Sequence, residues 1–233
     1  MSPIGKMCFA VGEDGVSPVE NGAYSKVEYW DERFEVEEDY EWLASYAEIR
    51  DVLLGILGGL KKILVVGNGT SELALKLAEE GMFEVVASDY SEVVVRKMRQ
   101  RQPAVAWVTA DATKLAEVFA ASSFDAIVDK AAMDAVVSDE GDPWAPNEET
   151  KKTVAALCAH AKRVLRRDGL LVQVSLQQKH FRQRLMTNDL KLHNVIDLPM
   201  GLGYFIYVWR RNNDDDRQLT TSSCPPSSFT YSH

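Results

Sequence analysis

The sequence predicts an α/β fold: a seven-stranded, mostly parallel sheet that ends in an antiparallel hairpin. Three observations carry this. Short apolar runs alternate with stretches of helical periodicity from residue 63 to residue 187, the pattern of parallel strands joined by crossover helices. A glycine turn, Gly67-Asn68-Gly69, links the first run to the first helical stretch, and the next run ends on Asp89. The last two apolar runs lack a good helix between them, so they should pair as a hairpin around residues 199–203, with one strand antiparallel.

Taken in order, residues 1–20 carry Pro3, Gly5, Gly12, Gly15 and Pro18 and read as a loose arm, with the folded domain spanning 21–211. Aromatic density rises from Tyr24 through Tyr29, Trp30, Phe34, Tyr40, Trp42 and Tyr46. A helix is expected over 42–57, where Leu43, Tyr46, Ile49, Leu53, Leu54 and Leu57 recur at helical spacing. Strands are expected at 63–66, 84–89, 104–109, 126–129, 170–175, 191–198 and 204–210. Helices are expected at 71–80, 92–101, 114–119, 148–165 and 179–187. Ser91 can cap the helix at 92–101, whose Arg96, Lys97, Arg99 and Arg101 bunch toward the C-terminal half and suit its dipole. Asp168-Gly169 signals a turn before the fifth strand. Residues 212–233, rich in Asn, Asp, Ser, Thr and Pro, cannot bury a core and read as a disordered tail.

Composition narrows the function classes. The 233 residues suit one α/β domain, and 46% hydrophobic with 26% charged residues is ordinary for a soluble protein. A net charge of −9 argues against a nucleic-acid backbone as the main partner and fits a small molecule or a basic protein. Cys8, Cys158 and Cys224 are odd in number and match no metal spacing, so reduced thiols are expected, and the four histidines form no ligand pattern. The best apolar run, 52–60, is too short to span a bilayer, and the N-terminal segment lacks a continuous apolar core. A cytoplasmic protein with no membrane partner is the expectation.

The glycine turn with its acid points to an adenosine-like ligand. The glycines let the backbone approach closely, and Asp89 at a strand end can accept from ribose hydroxyls. A dinucleotide fingerprint wants a small residue where this chain has Glu72. A carboxylate there is a poor neighbour for a pyrophosphate, whereas a cationic sulfonium meets no such repulsion. S-adenosylmethionine is therefore favoured over a nicotinamide dinucleotide. Taken alone, Trp30, Trp42 and the nearby tyrosines read as a helical core stripe, and Lys130 reads equally as a solvated loop lysine or a site residue. Trp144 and His180 fall on loops near the carboxyl edge of the sheet, and Asp134 reads as the start of a helix.

Several further segments carry a resemblance. Val-Glu-Tyr-Trp-Asp-Glu-Arg-Phe (27–34) and Tyr-Glu-Trp-Leu (40–43) precede the glycine turn. Asp89-Tyr90-Ser91, the run 124–130, Asp142-Pro143-Trp144 and His180-Phe181-Arg182 follow it. Over residues 22–210 the chain resembles the methyltransferase-like 13 family, and within it the eEF1A lysine methyltransferase 4 branch. The resemblance implies a Rossmann-like class I methyltransferase that uses S-adenosylmethionine to methylate a lysine of translation elongation factor 1A. It also implies cofactor-binding residues: Trp30, Phe34 and Trp42 closing from the N-terminal side, Gly67 and Gly69 in the turn, and Asp89 on the ribose. Tyr90, Asp111 and Ala112 would lie by the adenine, with Lys130 completing the pocket. Phe34 stands where a Tyr is common, Asp129 where a Glu is common, and Lys179 where a Pro precedes the histidine.

The chemistry asks for no strong base. Asp129 or Asp134 could orient the acceptor amine and Trp144 could contact its stem or charge, but no residue is assigned as a catalytic base. A small-molecule methyltransferase, and a binding module that keeps the fold without catalysis, stand as the alternatives.

Overall fold

A computed structural model of the chain describes residues 21–139, 141–142, 144–199 and 203–213. The expected arm lies outside the described residues, as does the expected tail from residue 214. Asn212 and Asn213, read as the start of that tail, are described: Asn212 is buried, donates from its backbone to Asp189 O at 2.8 Å and from Nδ2 to Asn188 O at 2.7 Å.

The helices are α1 (Val27–Val36), α2 (Tyr46–Leu57), α3 (Leu73–Glu79), α4 (Glu92–Arg101), α5 (Leu115–Val118), α6 (Ala132–Val136), α7 (Glu148–Val164) and α8 (Lys179–Leu185). The strands are β1 (Lys62–Val66), β2 (Glu84–Asp89), β3 (Ala106–Thr109), β4 (Phe124–Lys130), β5 (Gly141–Asp142), β6 (Ala145–Pro146), β7 (Leu165–Ser175), β8 (Leu190–Leu198) and β9 (Tyr204–Arg211). Seven of these strands form one sheet in the order β3-β2-β1-β4-β7-β9-β8, and β5 and β6 form a separate small hairpin. β1 pairs in parallel with β2 and β4, β2 with β3, and β4 with β7. β9 runs antiparallel to both β7 and β8, as the missing helix between the last two runs required.

Alternation along β1 explains the two-layered core. Ile63 and Val65 face the cluster built with Leu53, Leu57, Leu73, Leu77, Val94 and Met98 of α2, α3 and α4. Leu64 and Val66 face the opposite cluster, with Leu115, Val154, Leu157, Ala161 and Leu185 of α5, α7 and α8. A central parallel strand buried on both faces has no room for the polar alternation of an edge strand.

Several boundaries move for identifiable reasons. The helix expected from Trp42 starts at Tyr46, because Leu43 sits at φ 67° and Ser45 with Glu48 forms a capping box. The expected turn at Asp168-Gly169 lies inside β7: Asp168 takes φ 64°, and the β4–β7 register shifts between Phe124 and Ala126. The helix expected over 114–119 shortens to the four residues of α5 behind a 3₁₀ turn at Ala112–Lys114. α6 was foreseen only as a possible helix start at Asp134, which lies within it.

Asp134 is also where a buried charge is matched. Arg182 of α8, fully buried, forms an ion pair with Asp134 and donates from Nη2 to Ser175 Oγ at 2.7 Å. Asp134 Oδ2 accepts from Leu176 N at 2.9 Å. Replacing Arg182 with Ala leaves a buried carboxylate without its cation, and a loss of about 3–5 kcal/mol in urea unfolding is expected. Lys62→Ala, which breaks an exposed 2.6 Å pair with Glu84, should cost less than about 1 kcal/mol in the same measurement.

Candidate functional site

The carboxyl ends of β1, β2, β3 and β4 open on one cavity of about 280 Å³. It lies where the sheet order reverses about β1, the place at which open α/β sheets bind ligands. All ten residues singled out from the sequence line it: Trp30, Phe34, Trp42, Gly67, Gly69, Asp89, Tyr90, Asp111, Ala112 and Lys130.

The floor is the turn after β1. Gly67 takes φ 55°, and a Cβ there would lie 2.4 Å from Ala132 Cβ; Gly69 takes φ 54° under the Phe34 ring. Both conformations are in the left-handed region that glycine adopts at little cost. Between them Asn68 is buried. Its Nδ2 donates to Ser71 O at 2.9 Å, while its Oδ1 finds no partner. A buried acceptor left unmatched points to a donor that the chain itself does not supply.

Asp89, the last residue of β2, is 3% exposed. Its Oδ2 accepts from Gly69 N at 2.9 Å and its Oδ1 from Ser91 N at 3.0 Å. With a third backbone donor from Tyr90, the carboxylate keeps acceptor capacity for about one more donor. Burial pushes the carboxyl up to about 6, against the pull of those backbone donors. Asp111, after β3, uses Oδ1 to accept from Thr113 N and Oγ1 at 2.8 and 2.7 Å, so it shapes the 3₁₀ turn that carries Ala112.

The roof is the N-terminal segment. Trp30 stacks on Phe34 at 5.5 Å between centroids and meets Trp42 edge-on at 5.8 Å. Trp30 Nε1 donates to Tyr24 O at 2.7 Å. Buried Arg33 lies over Tyr40 and Trp42 and pairs with Glu37, whose Oε1 accepts from Thr70 Oγ1 at 2.6 Å. Ser91 Oγ donates to Asp31 at 2.5 Å, and Lys97 Nζ to Glu37 O at 2.5 Å.

One carboxylate joins roof to floor. Glu41 accepts from Ser71 Oγ at 2.8 Å, from Glu72 N at 2.8 Å and from Lys130 Nζ at 2.7 Å. Lys130 also donates to Trp42 O at 2.8 Å. Lys130 is thus the buried end of β4, not a solvated loop residue, and burial pulls its ammonium down while Glu41 holds it up. Glu72 itself is exposed at the start of α3, so the anion beside this turn is Glu41.

The sequence reading missed Glu37, Glu41 and Asn68. Its other candidates fall elsewhere. Neither Asp129 nor Asp134 lines the cavity. Asp129 accepts from Gln173 Nε2 at 2.8 Å and from Met133 N at 3.2 Å, and Asp134 is held by Arg182, so both serve the fold. His180 lies in α8 instead of a loop. Ala131, next to Lys130, takes φ 68° while its N–H donates to Val174 O at 3.1 Å. A left-handed alanine costs about 1–2 kcal/mol and persists where its surroundings dictate it. Among the described residues no group of His, Cys, Asp and Glu could hold a metal ion.

Comparison with known proteins gives a consistent picture. A family model described as a methyltransferase domain matches residues 63–169. The chain is 36% identical over 173 residues to the EEF1A lysine methyltransferase 4 of Bos taurus, covering 72% of this chain and 67% of that protein. It is 32% identical over 169 residues to the Homo sapiens eEF1A lysine and N-terminal methyltransferase, covering 70% of this chain but 23% of that longer protein. Among solved structures, a SAM-dependent methyltransferase from Methanosarcina mazei aligns with TM-score 0.53 and 17% identity, covering 69% of this chain and 96% of that one. An N-methyltransferase from Bradyrhizobium japonicum in complex with S-adenosyl-L-homocysteine aligns with TM-score 0.56 and 12% identity, covering 80% and 98%. At these identities the structural likeness is one of fold.

The Gly67 geometry yields a test. Gly67→Ala forces a methyl group against Ala132 and a left-handed alanine, and should cost about 2–4 kcal/mol in thermal or urea unfolding.

Proposed function

The chain belongs to the methyltransferase-like 13 family of class I S-adenosylmethionine-dependent methyltransferases, and from that premise we propose that it methylates a lysine side chain of translation elongation factor 1A. The substrate rests on the names of the relatives: the bovine protein is named an eEF1A lysine methyltransferase and the human protein an eEF1A lysine and N-terminal methyltransferase. The observation that carries the cofactor reading to individual atoms is the unmatched polar capacity of the cavity. Asn68 Oδ1 has no partner, and Asp89, with backbone donors from Gly69, Tyr90 and Ser91, keeps capacity for about one more. The amino group and ribose hydroxyls of S-adenosylmethionine are donors of the kind that these acceptors need. A pyrophosphate fits poorly. The carboxylate of Glu41 already takes the Glu72 N–H at the start of α3 and neutralises Lys130.

In this reading Asp89 holds the ribose, Tyr90, Asp111 and Ala112 border the adenine, and Asn68 and the Gly67–Gly69 backbone receive the methionine end. Trp30, Phe34 and Trp42 close the roof. Lys130 acts at one remove, as the strut that keeps Glu41 and Trp42 in place. A cytoplasmic location follows from the substrate, and no helix among the described residues is long and apolar enough to cross a membrane.

When bound, S-adenosylmethionine supplies a methyl group on a cationic sulfur, open to in-line attack by an amine. The chain must align that amine, exclude water and favour its neutral form. Neutralising a lysine near pH 7 costs roughly 4–5 kcal/mol from its reference pKa. The aromatic roof of Tyr24, Trp30, Phe34 and Trp42 strips water from the cavity and lowers that cost by desolvation. Asp129 and Asp134 stand outside this space, so neither receives the proton; it passes to solvent at the cavity mouth.

Two experiments test the reading. Incubation of the protein with methyl-labelled S-adenosylmethionine and elongation factor 1A should label a lysine of that factor, and an unlabelled factor removes the substrate assignment. The second is a pH series of S-adenosylhomocysteine binding by calorimetry. Burial raises the Asp89 carboxyl to about 6. Between about pH 4 and 6 the fold therefore binds more protons here than the unfolded chain, and this group makes stability fall as pH rises. Hydroxyl donors favour the ionised form and expel that proton. Affinity should therefore weaken by up to about tenfold per pH unit below 6, and Asp89→Asn should flatten the dependence while weakening binding at pH 8.

A further inference from the structure

Four large apolar side chains are exposed among the described residues, Val36, Met82, Val118 and Trp144, and only Trp144 is aromatic. A lone exposed apolar residue is ordinary. What sets Trp144 apart is how it is held and where. It sits in the turn of the β5–β6 hairpin, and the residues flanking that hairpin, Asp139 and Asn147, both line the cavity. Asn147 Nδ2 donates to Asp139 O at 2.7 Å and pins the base.

The indole is fixed from behind. Trp144 N donates to Asp142 Oδ1 at 2.9 Å, and Trp144 O accepts from Arg184 Nη2 at 2.5 Å. Its ring stacks on His180 at 5.3 Å and 29°, and meets Phe181 edge-on at 4.9 Å. Yet the residue remains 61% exposed. A pre-set aromatic with one open face loses little freedom when something lands on it, which is the property of an interface anchor.

The surrounding charge says what lands there. Asp139, Asp142, Glu148 and Glu149 are exposed around the hairpin and the start of α7, and Asp139 and Glu149 also line the cavity. Glu148 is answered by Lys151 and Lys152, and the cations Lys179 and Arg184 stand on the α8 side behind the ring, so the acidic side of the platform is Asp139, Asp142 and Glu149. An acidic rim beside an open indole face fits a cationic polypeptide segment, with a lysine or arginine over the ring.

We propose that Trp144, backed by His180 and Phe181, is the docking platform for a cationic segment of the protein substrate that flanks the acceptor lysine. This rests on the lysine-transfer reading above. The test uses the full chain, methyl-labelled S-adenosylmethionine and intact elongation factor 1A. Trp144→Ala should raise KM for the factor at least tenfold, with kcat within about threefold of wild type. The thermal shift given by S-adenosylhomocysteine should be unchanged, and Trp144→Phe should recover most of the affinity. If wild type labels the factor but Trp144→Ala leaves KM unchanged, or lowers only kcat, the docking proposal is overturned and lysine transfer stands. If wild type leaves the factor unlabelled, the lysine-transfer reading falls and the docking proposal falls with it.

Discussion

Buried charge at the carboxyl edge of the sheet has to be matched, and the chain matches much of it by folding its own N-terminal segment back over that edge. Lys130 at the end of β4 has its counter-charge in Glu41. Arg33 and Glu37 answer each other beneath the aromatic rings and reach the turn through Thr70. An isolated buried ion would cost several kcal/mol, so each pairing is close to obligatory once the sheet has formed. The roof of the cavity is therefore held as firmly as its floor. Glu41 does most of the joining, because its carboxylate accepts from the turn, from α3 and from β4 at once.

This arrangement gives the cavity its selectivity. A helix start beside a glycine turn ordinarily invites a phosphate. Here a resident carboxylate takes that position and a resident lysine is spent on it. What is left unmatched is acceptor capacity, on Asn68 and Asp89, facing aromatic walls. The cavity asks for hydroxyl and amino donors around an apolar body. That is a narrower request than adenosine alone, and it separates this site from a dinucleotide site of similar outline.

Much of this was legible in the sequence because it depends on local pattern. Strands buried on both faces show as apolar runs, and residues at or just past their carboxyl ends, such as Asp89 and Asp111, must fall at one edge of a parallel sheet. That logic reached the turn glycines, Asp89 and Asp111; Trp30, Phe34, Trp42 and Lys130 came from the family resemblance, and all ten line one cavity. The partners were not legible. Nothing local marks Glu41 as the mate of Lys130, eighty-nine positions away, or Arg182 as the mate of Asp134. Asp129 and Asp134 looked available for chemistry for the same reason: their partners, Gln173 and Arg182, arrive from later elements. The start of α2 was a different kind of miss. The Ser45–Glu48 capping box was present in the sequence, but the leucine periodicity running through Leu43 masked it.

The position of β9 in the sheet orders the folding of the whole chain. β9 lies between β7 and β8 and pairs with both, so β8 touches the sheet only through a strand made after it. A nascent chain that has reached residue 198 can assemble the five parallel strands, but β8 has no neighbour until residues 204–211 arrive. Up to that moment β7 presents an open edge, which is the condition that recruits chaperones or drives aggregation. The site is composed from residues 24–153, yet its protection from misassembly waits for residues 204–211.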